Sequence, residues 1–457
     1  MTLIIVTMLL LAYLLIATGH LTGVNKAAIA MFLGTIGWVV YVCWGADFVM
    51  AQHPAEYIEW LGSNEHSSDI VKWFIYDHVF LKYVGKAAAI VLFLLATMSI
   101  VELLSNNGCF DFITEWIRTR SSKRLLWSIT AVTFALSANL DNLTTATMML
   151  VIMHNILQNS RQRMFVGSAI VLAACCGGCF TVIGDPTGLI LWGNGAVTAT
   201  RFSAYLGLPA FLACVVPTYL ISRELPDRLD TAWSPSPYRG DATRLNRWQR
   251  VVMLIVGIGG LWFIPTFHNL TRLAPFLGAL CVLSVLWVVN EAFNRKLINA
   301  DQMTGRRVPM SLQYGVLQQV LFVTGIMLGM GVVTETGVWA DVADWFDVYI
   351  PDVWLIGILA GFLSSIVDSF TIAISNISLY SVGAGGVITN GAYWGVIAYT
   401  TAVGGCLLSV GSVCGLALMR AEHVSLGWYI KHVTPKVLLG FLIGYIVLWV
   451  EVNFIML

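Results

Sequence analysis

Three aspartates, Asp141, Asp185 and Asp368, lie inside apolar stretches of this 457-residue chain. An ionisable side chain is costly within a membrane segment, so each is by default a candidate for function. Two of them stand within clusters of small polar residues, at 137–145 and 364–371. The third stands in a Gly-Asp-Pro-Thr-Gly sequence, in which glycine and proline interrupt a helix. The pattern predicts carboxylates placed beside broken helical backbone.

Such segments could form an all-oxygen site for a hard cation. Broken backbone at mid-membrane is tolerated only where it lines a cavity, and its freed carbonyl groups can join carboxylates around an ion. Neutral oxygens would come from Asn142, Thr144, Thr187, Ser369 and Ser409. Burial also favours the protonated form of a carboxylic acid, so a proton and a metal ion would compete for one carboxylate. The alternative is a structural role, in which the aspartates only hydrogen-bond across helices.

The composition requires a bilayer around the chain. Hydrophobic residues make up 58% of it and charged residues 11%, with a mean hydropathy of +0.79. The 25 basic and 25 acidic residues balance, which argues against a nucleic-acid partner. Nine cysteines sit mostly inside apolar runs without the spacing of zinc ligands, so we interpret them as packing residues and expect no cofactor.

Apolar windows predict an all-α polytopic protein with about ten spanning helices. These lie at 3–19, 27–45, 84–104, 165–192, 204–222, 250–266, 273–293, 313–335, 393–418 and 430–455. Two further apolar stretches, 126–158 and 353–390, are too long for one span, and each carries a polar cluster at its middle. We interpret both as re-entrant hairpins.

Charge assigns the two hairpins to opposite faces of the membrane. The first is flanked on both sides by basic residues, namely Arg118, Arg120, Lys123, Arg124, Arg161 and Arg163, so both of its ends are expected in the cytoplasm. No Lys or Arg occurs between 309 and 419, so the second hairpin is expected to enter from outside. Two hairpins from opposite faces are typical of an inverted-repeat transporter.

The two halves also match in sequence at a constant offset. Asp141 and Asp368 are 227 residues apart, as are the Gly-Gly pairs that begin at Gly177 and Gly404. We therefore predict two inverted repeats. The first spans 1–222, with the hairpin 126–158 and a broken helix at 165–192; a cytoplasmic linker follows at 223–249. The second spans 250–457, with the hairpin 353–390 and a broken helix at 393–418.

The sequence Leu140-Asp-Asn-Leu-Thr-Thr145, followed by Gly177-Gly and Ile183-Gly-Asp185, resembles the NhaD-type sodium/proton antiporters of the ion transporter superfamily. The resemblance implies an elevator-type fold with scaffold and transport subdomains, usually a homodimer, in the bacterial inner membrane. It implies exchange of Na⁺, or Li⁺, for H⁺, with lipid and small cations as partners and no enzymatic activity.

By motif, the ion-handling positions of that family fall on residues of both halves. They are Ser137, Asp141, Asn142, Asp185 and Thr187 in the first, and Ser364, Asp368, Ser409 and Ser412 in the second. Three positions depart from the family pattern, and each replacement removes the oxygen ligand that the family residue would supply: Ser369 replaces an Asn, Gly188 a Thr, and Cys175 an Asn. Glu102, near the end of the span 84–104, is a candidate proton relay or an interfacial residue.

Two other functions are open. A sodium-coupled symporter of a small anion, of the dicarboxylate or arsenite type, could use the same architecture. Three central carboxylates and the lack of a central Lys or Arg disfavour it. An intramembrane aspartyl protease would need a Gly-x-Gly-Asp pattern, but Val182 stands where the first glycine should be, and the repeat would have no explanation.

Overall fold

The computed structural model describes residues 2–62, 66–117, 119, 121–231, 245–294, 310–383 and 387–455. Within these ranges the chain is helical, and its only β-type pairing is two isolated bridges. Part of the predicted linker 223–249, and the basic residues Arg118 and Arg120, lie outside the described residues.

The helices follow one another without any sheet between them in the described ranges. They are α1 Thr2–Ala17, α2 Gly19–Thr22, α3 Lys26–Cys43, α4 Gly45–Gln52, α5 Pro54–Leu61, α6 Ser68–Phe74, α7 Leu81–Asn106, α8 Asp111–Trp116, α9 Ser122–Ser137, α10 Asn142–Ile156, α11 Ser160–Phe180, α12 Pro186–Gly193, α13 Ala199–Ser222, α14 Arg247–Thr271, α15 Pro275–Asn294, α16 Met310–Glu335, α17 Val338–Tyr349, α18 Val353–Ile366, α19 Ser369–Leu379, α20 Ala392–Gly404, α21 Val413–Glu422, α22 Leu426–His432 and α23 Thr434–Val450. π-Helical turns at Ile75–Phe80 and Glu451–Ile455 join α6 to α7 and extend α23.

Eight helices in the described ranges are long and apolar enough to cross a bilayer, against about ten predicted spans. The predicted span 3–19 becomes α1, whose 16 residues reach only about 24 Å, less than the hydrocarbon core. The predicted span 393–418 becomes two short helices, α20 and α21, separated at 405–412. The chain is therefore a multi-pass membrane protein with fewer full-length spans than its hydropathy predicts.

The helices form two groups that pack mainly within themselves. The outer bundle consists of α1, α3, α7, α14, α15 and α16. The hairpin bundle consists of α9 to α13 and α18 to α23. One close crossing in the outer bundle joins α3 to α16, where a Cβ on Gly325 would lie 2.4 Å from the Ala30 carbonyl carbon. Close approach of small residues is a common way for helices to associate in lipid.

Each of the two polar clusters lies between two helices, and we call each such pair of helices a hairpin. In the first, the chain reverses direction between α9 and α10, just before Asp141. Both outer ends of this hairpin contact the same segment of chain: the Ser122 backbone amide donates to the Asp227 carbonyl, and the Gln158 backbone amide donates to the Asp230 carbonyl. In the second, α18 and α19 reverse just before Asp368, and α19 ends earlier than predicted, at Leu379.

The predicted helices 165–192 and 393–418, each of which follows a hairpin, are both broken. α11 ends at Phe180 and α12 begins at Pro186, whereas α20 ends at Gly404 and α21 begins at Val413. The breaks pack on the hairpins through glycine: a Cβ on Gly184 would lie 2.6 Å from the Ser137 carbonyl oxygen. A side chain at that position would push the hairpin away from the break.

One side-chain contact recurs 227 residues later. The Ser137 hydroxyl donates to the Ala174 carbonyl at 2.6 Å, and the Ser364 hydroxyl donates to the Thr401 carbonyl at 2.6 Å. Both hydroxyls fasten the first helix of a hairpin to the helix that precedes the break. This recurrence in the contacts parallels the offset seen in the sequence.

The far ends of the broken helices join the two halves, again at equivalent positions. Glu422 at the end of α21 accepts from the Arg163 guanidinium at 2.6 Å. The first-half counterpart of Glu422 is Gly195, beyond the end of α12, and its carbonyl accepts from the Thr389 hydroxyl at 3.0 Å. Next to it, the Asn390 amide, at the position equivalent to Arg163, donates to the Ala196 carbonyl at 2.8 Å. The two halves therefore hold each other at both ends of the hairpin bundle.

We predict that Gly404→Ala destabilises the protein by about 1–3 kcal/mol, the usual cost of overpacking. The new methyl carbon would lie 2.6 Å from the Gly361 carbonyl oxygen and 2.8 Å from its Cα, and backbone cannot rotate away. Thermal unfolding of the purified protein in detergent measures the change. Gly395→Ala, in the same helix, is the matched control because a Cβ there meets nothing within 4 Å. Equal unfolding temperatures for the two variants would contradict the assignment of a tight contact.

Candidate functional site

Asp141 begins the second helix of the first hairpin. It is the N-cap of α10: its Oδ2 accepts from the Thr144 amide at 3.0 Å and from the Thr144 hydroxyl at 3.2 Å. An N-cap carboxylate satisfies backbone donors that the helix itself cannot. The side chain is 3% exposed, so this cap lies inside the protein.

Asp185 occupies the break between α11 and α12 and is joined to the hairpin tip. Its Oδ1 accepts from the Asn142 side-chain amide at 2.6 Å, and its Oδ2 accepts from the Thr187 hydroxyl. The Asn142 backbone amide also donates to the Gly184 carbonyl at 3.1 Å. Pro186 opens α12, where its missing amide hydrogen costs nothing. Asn142 follows Asp141 in the chain, so its two hydrogen bonds connect the tip of the first hairpin to the break that carries Asp185.

Asp368 is the N-cap of α19, at the tip of the second hairpin. Its Oδ1 accepts from the Phe370 amide at 3.0 Å. Its Oδ2 is buried and has no hydrogen-bond partner in the described part of the chain. Across the break of the same half, the Ser412 hydroxyl caps α21 by accepting from the Gly415 amide at 3.0 Å.

A small cavity lies where the two hairpin tips and the two breaks meet. Its volume is about 20 Å³, roughly enough for one water-sized particle. The lining residues are Asn142, Cys175, Asp185, Pro186, Gln319, Phe322, Val323, Asp368, Ser369, Phe370, Ala402, Ser412 and Val413. Two of the three aspartates line it directly. Asp141 does not line the cavity. Its Oδ1 lies 3.5 Å from the Nε2 of Gln319, which does line it.

The aspartates do not converge as a metal-binding cluster of their own. Among the described residues, no group of three or more His, Cys, Asp or Glu side chains is placed to hold one metal ion. A cation in this cavity would be held by one or two carboxylates together with neutral oxygens from Asn142, Ser369 and Ser412 and with backbone carbonyls of the breaks. That donor set suits a weakly held monovalent ion.

The other predicted site residues do not line this cavity. Ser137 and Ser364 bind backbone carbonyls, as described above. The Ser409 hydroxyl contacts the Met419 sulfur at 3.2 Å, away from the residues that line the cavity. Glu102 is exposed on α7, and no contact in the described part of the chain joins it to the aspartates.

Sequence reasoning missed two polar residues from the outer bundle. The Lys26 ammonium donates to the Val410 carbonyl at 3.0 Å and lies 4.0 Å from Asp368 Oδ2. Gln319 of α16 lines the cavity. The premise that no Lys or Arg lies at the centre is therefore wrong. Lys26 stands just before the predicted span 27–45, and a basic residue at a span end usually reaches the membrane surface. Gln319 carried a usable signal, since a buried amide inside an apolar span needs a partner.

The chain resembles known transport proteins over most of its length. Residues 2–404 match the CitMHS family model, which is described as a citrate transporter. "Sodium/proton antiporter 1" of Arabidopsis thaliana is 32% identical over 360 residues, which cover 79% of this chain and 61% of that protein. "Sodium/proton antiporter 2" of the same plant is 30% identical, over 79% and 84% of the two chains. The chain thus spans less than two thirds of the first relative's length.

A bacterial relative and a solved structure extend the comparison. The Na⁺/H⁺ antiporter NhaD of Vibrio parahaemolyticus is 26% identical over 83% of this chain and 92% of its own. The crystal structure of the Alcanivorax borkumensis YdaH transporter superimposes with a TM-score of 0.59, covering 94% of this chain and 99% of that one. At 12% identity this likeness bears on the fold alone.

We predict that Asn142→Ala destabilises the protein by about 1–3 kcal/mol, because the buried Asp185 Oδ1 loses its amide donor. Asn155→Ala is the control, since Asn155 lies in the same helix and its side-chain amide donates to the Val151 carbonyl at an exposed position. Thermal unfolding in detergent at constant pH compares the two. A smaller effect at 142 than at 155 would contradict the role given to Asn142.

Proposed function

The chain belongs to the family described as citrate transporters, and we propose that within it the chain exchanges Na⁺, or Li⁺, for H⁺ across the membrane. The observation that carries the proposal is the cavity lined by Asp185 and Asp368, which has room for one water-sized particle. The names of the plant and Vibrio relatives support it. The proposed ion-binding residues are Asp141, Asp185 and Asp368, with Asn142, Ser369 and Ser412 as neutral ligands.

The exchange would follow from competition at buried carboxylates. A bare carboxylate in low dielectric is costly and is relieved either by a proton or by a cation. A proton arriving from one side would therefore release Na⁺, and Na⁺ arriving from the other side would release the proton. The N-cap bond of Asp368 keeps its Oδ1 fixed toward the helix, which leaves its Oδ2 for the ion, whereas the Oδ1 of Asp141 faces the Gln319 amide.

We further propose an elevator arrangement, in which the hairpin bundle carries the ion and the outer bundle is the scaffold. The weak packing between the two bundles supports this division. The recurrence of the Ser137 and Ser364 contacts at 227 residues supports an inverted repeat. A homodimer and an inner-membrane location are the expectations that accompany this architecture.

Symport of a small anion with sodium is the second candidate. The Lys26 ammonium beside the cavity and the family's description as citrate transporters favour it. The size of the cavity disfavours it, since pockets for organic ligands usually measure roughly 300–1,000 Å³. Two carboxylates on the cavity wall would also repel an anion.

We predict that everted membrane vesicles containing the protein dissipate a proton gradient when Na⁺ or Li⁺ is added. Asp185→Asn and Asp368→Asn should each abolish this activity, because an amide can neither take up the proton nor offset a cation. Asp141→Asn should abolish it too. Asp344→Asn is the control, because this aspartate is exposed on α17 and should not matter.

Two results would contradict the proposal. The first is full activity in any one of the three aspartate variants, which would remove that residue from the ion-binding set. The second is sodium-dependent uptake of labelled citrate or dicarboxylate that survives Asp141→Asn, which would favour anion symport.

A further inference from the structure

Lys26 is a residue of the outer bundle whose charged end lies among oxygens of the hairpin bundle. It is the first residue of α3, and Asn25 caps that helix by accepting from the Ala27 amide at 2.9 Å. Its ammonium donates to the Val410 carbonyl at 3.0 Å and to the Val367 carbonyl at 3.4 Å. The Lys26 side chain is only 14% exposed.

These oxygens form the kind of set that an alkali cation would use. Val410 lies in the break between α20 and α21, and Val367 lies at the tip of the second hairpin, so neither carbonyl belongs to a regular helix. The third oxygen is Asp368 Oδ2, 4.0 Å from the ammonium, and it is the buried oxygen for which the described residues supply no hydrogen bond. Two freed carbonyls and a carboxylate around one positive charge resemble the coordination of a monovalent ion.

Among the residues that the structure describes, the first half has no such charge at the equivalent place. Asp141, the counterpart of Asp368, faces the neutral amide of Gln319. The outer bundle therefore presents different groups to the two hairpin tips. Asp141 faces the amide of Gln319, and Asp368 faces the ammonium of Lys26. This difference gives the second-half aspartate a built-in positive partner.

We propose that the Lys26 ammonium is a tethered competitor of the transported cation at the second hairpin tip. When no ion is bound, it occupies the oxygens of Val367, Val410 and Asp368 and fastens the unloaded hairpin bundle to the outer bundle. A bound cation displaces it and frees the bundle to move. The inference rests on the proposed function, because it assigns Lys26 to the same ion site.

This contact would couple ion binding to movement of the hairpin bundle. Moving the unloaded bundle would separate a buried ammonium from a buried carboxylate, which is strongly unfavourable in low dielectric. An empty carrier would therefore stay in place, and ions would cross only by exchange. A neutral residue at position 26 removes both the competitor and the fastening.

The test uses Lys26→Met in the full-length protein reconstituted in liposomes, with Lys82→Met, an exposed lysine of α7, as matched control. At constant pH, the Na⁺ concentration that half-saturates transport should fall by about fivefold or more in Lys26→Met, the lower end of usual coupling between two ligands. The ratio of Na⁺ released to H⁺ taken up should also rise above the wild-type ratio. Lys26→Arg should keep that ratio.

A purely structural ion pair predicts something else. Lys26→Met would then lower the unfolding temperature, but leave the half-saturating Na⁺ concentration and the transport ratio unchanged, and this result would overturn the proposal. An increase in the half-saturating concentration would overturn it as well.

A second measurement does not depend on transport. In sodium-free buffer, the unfolding temperatures of Lys26→Met, Asp368→Asn and the double variant should be non-additive, because the two side chains interact. Additive effects would overturn the proposal whatever the transport assay shows. If the cycle is non-additive but the wild-type protein exchanges no Na⁺ for H⁺, the proposed function fails and the contact of Lys26 with Asp368 stands.

Discussion

A helix that breaks inside a low-dielectric medium must find partners for the backbone groups that it frees, and the rest of this structure depends on that constraint. In the first half, the Asn142 amide binds the Gly184 carbonyl and its side chain binds Asp185, so the hairpin tip completes the break. Gly178, Gly184 and their equivalents allow this approach, because the backbones of hairpin and break lie too close for side chains. The site is thus a product of two breaks and two tips that satisfy one another.

The same arrangement leaves a few oxygens unsatisfied, and these are the ones available to an ion. Asp368 Oδ2 has no hydrogen-bond partner among the described residues, and the breaks supply carbonyls such as that of Val410. A fully satisfied network would be rigid and inert, whereas an unsatisfied buried carboxylate oxygen is costly until a positive charge reaches it. The outer bundle supplies Gln319 to one half and Lys26 to the other. Near-equivalent halves therefore produce a site that is not symmetric.

Short sequence patterns predicted those parts of the site in which residues act on the backbone next to them. The polar clusters around Asp141 and Asp368 indicated hairpin tips, and the glycine and proline around Asp185 indicated a break, because these residues act on the backbone next to them. The sequence could not place Lys26, since its contact with Val410 joins residues 384 positions apart and depends on how two bundles pack. Hydropathy also overstated the number of spans in the described ranges, because it does not register the short length of α1 or the interruption between α20 and α21.

The central claim is that a cation and a proton compete for the same buried carboxylates, and proton release on ion binding tests it most directly. Na⁺ titrated into the purified protein in weakly buffered solution should release protons in a saturable way, and Asp185→Asn together with Asp368→Asn should eliminate that release. Saturable Na⁺ binding that releases no protons from the wild-type protein would contradict the account.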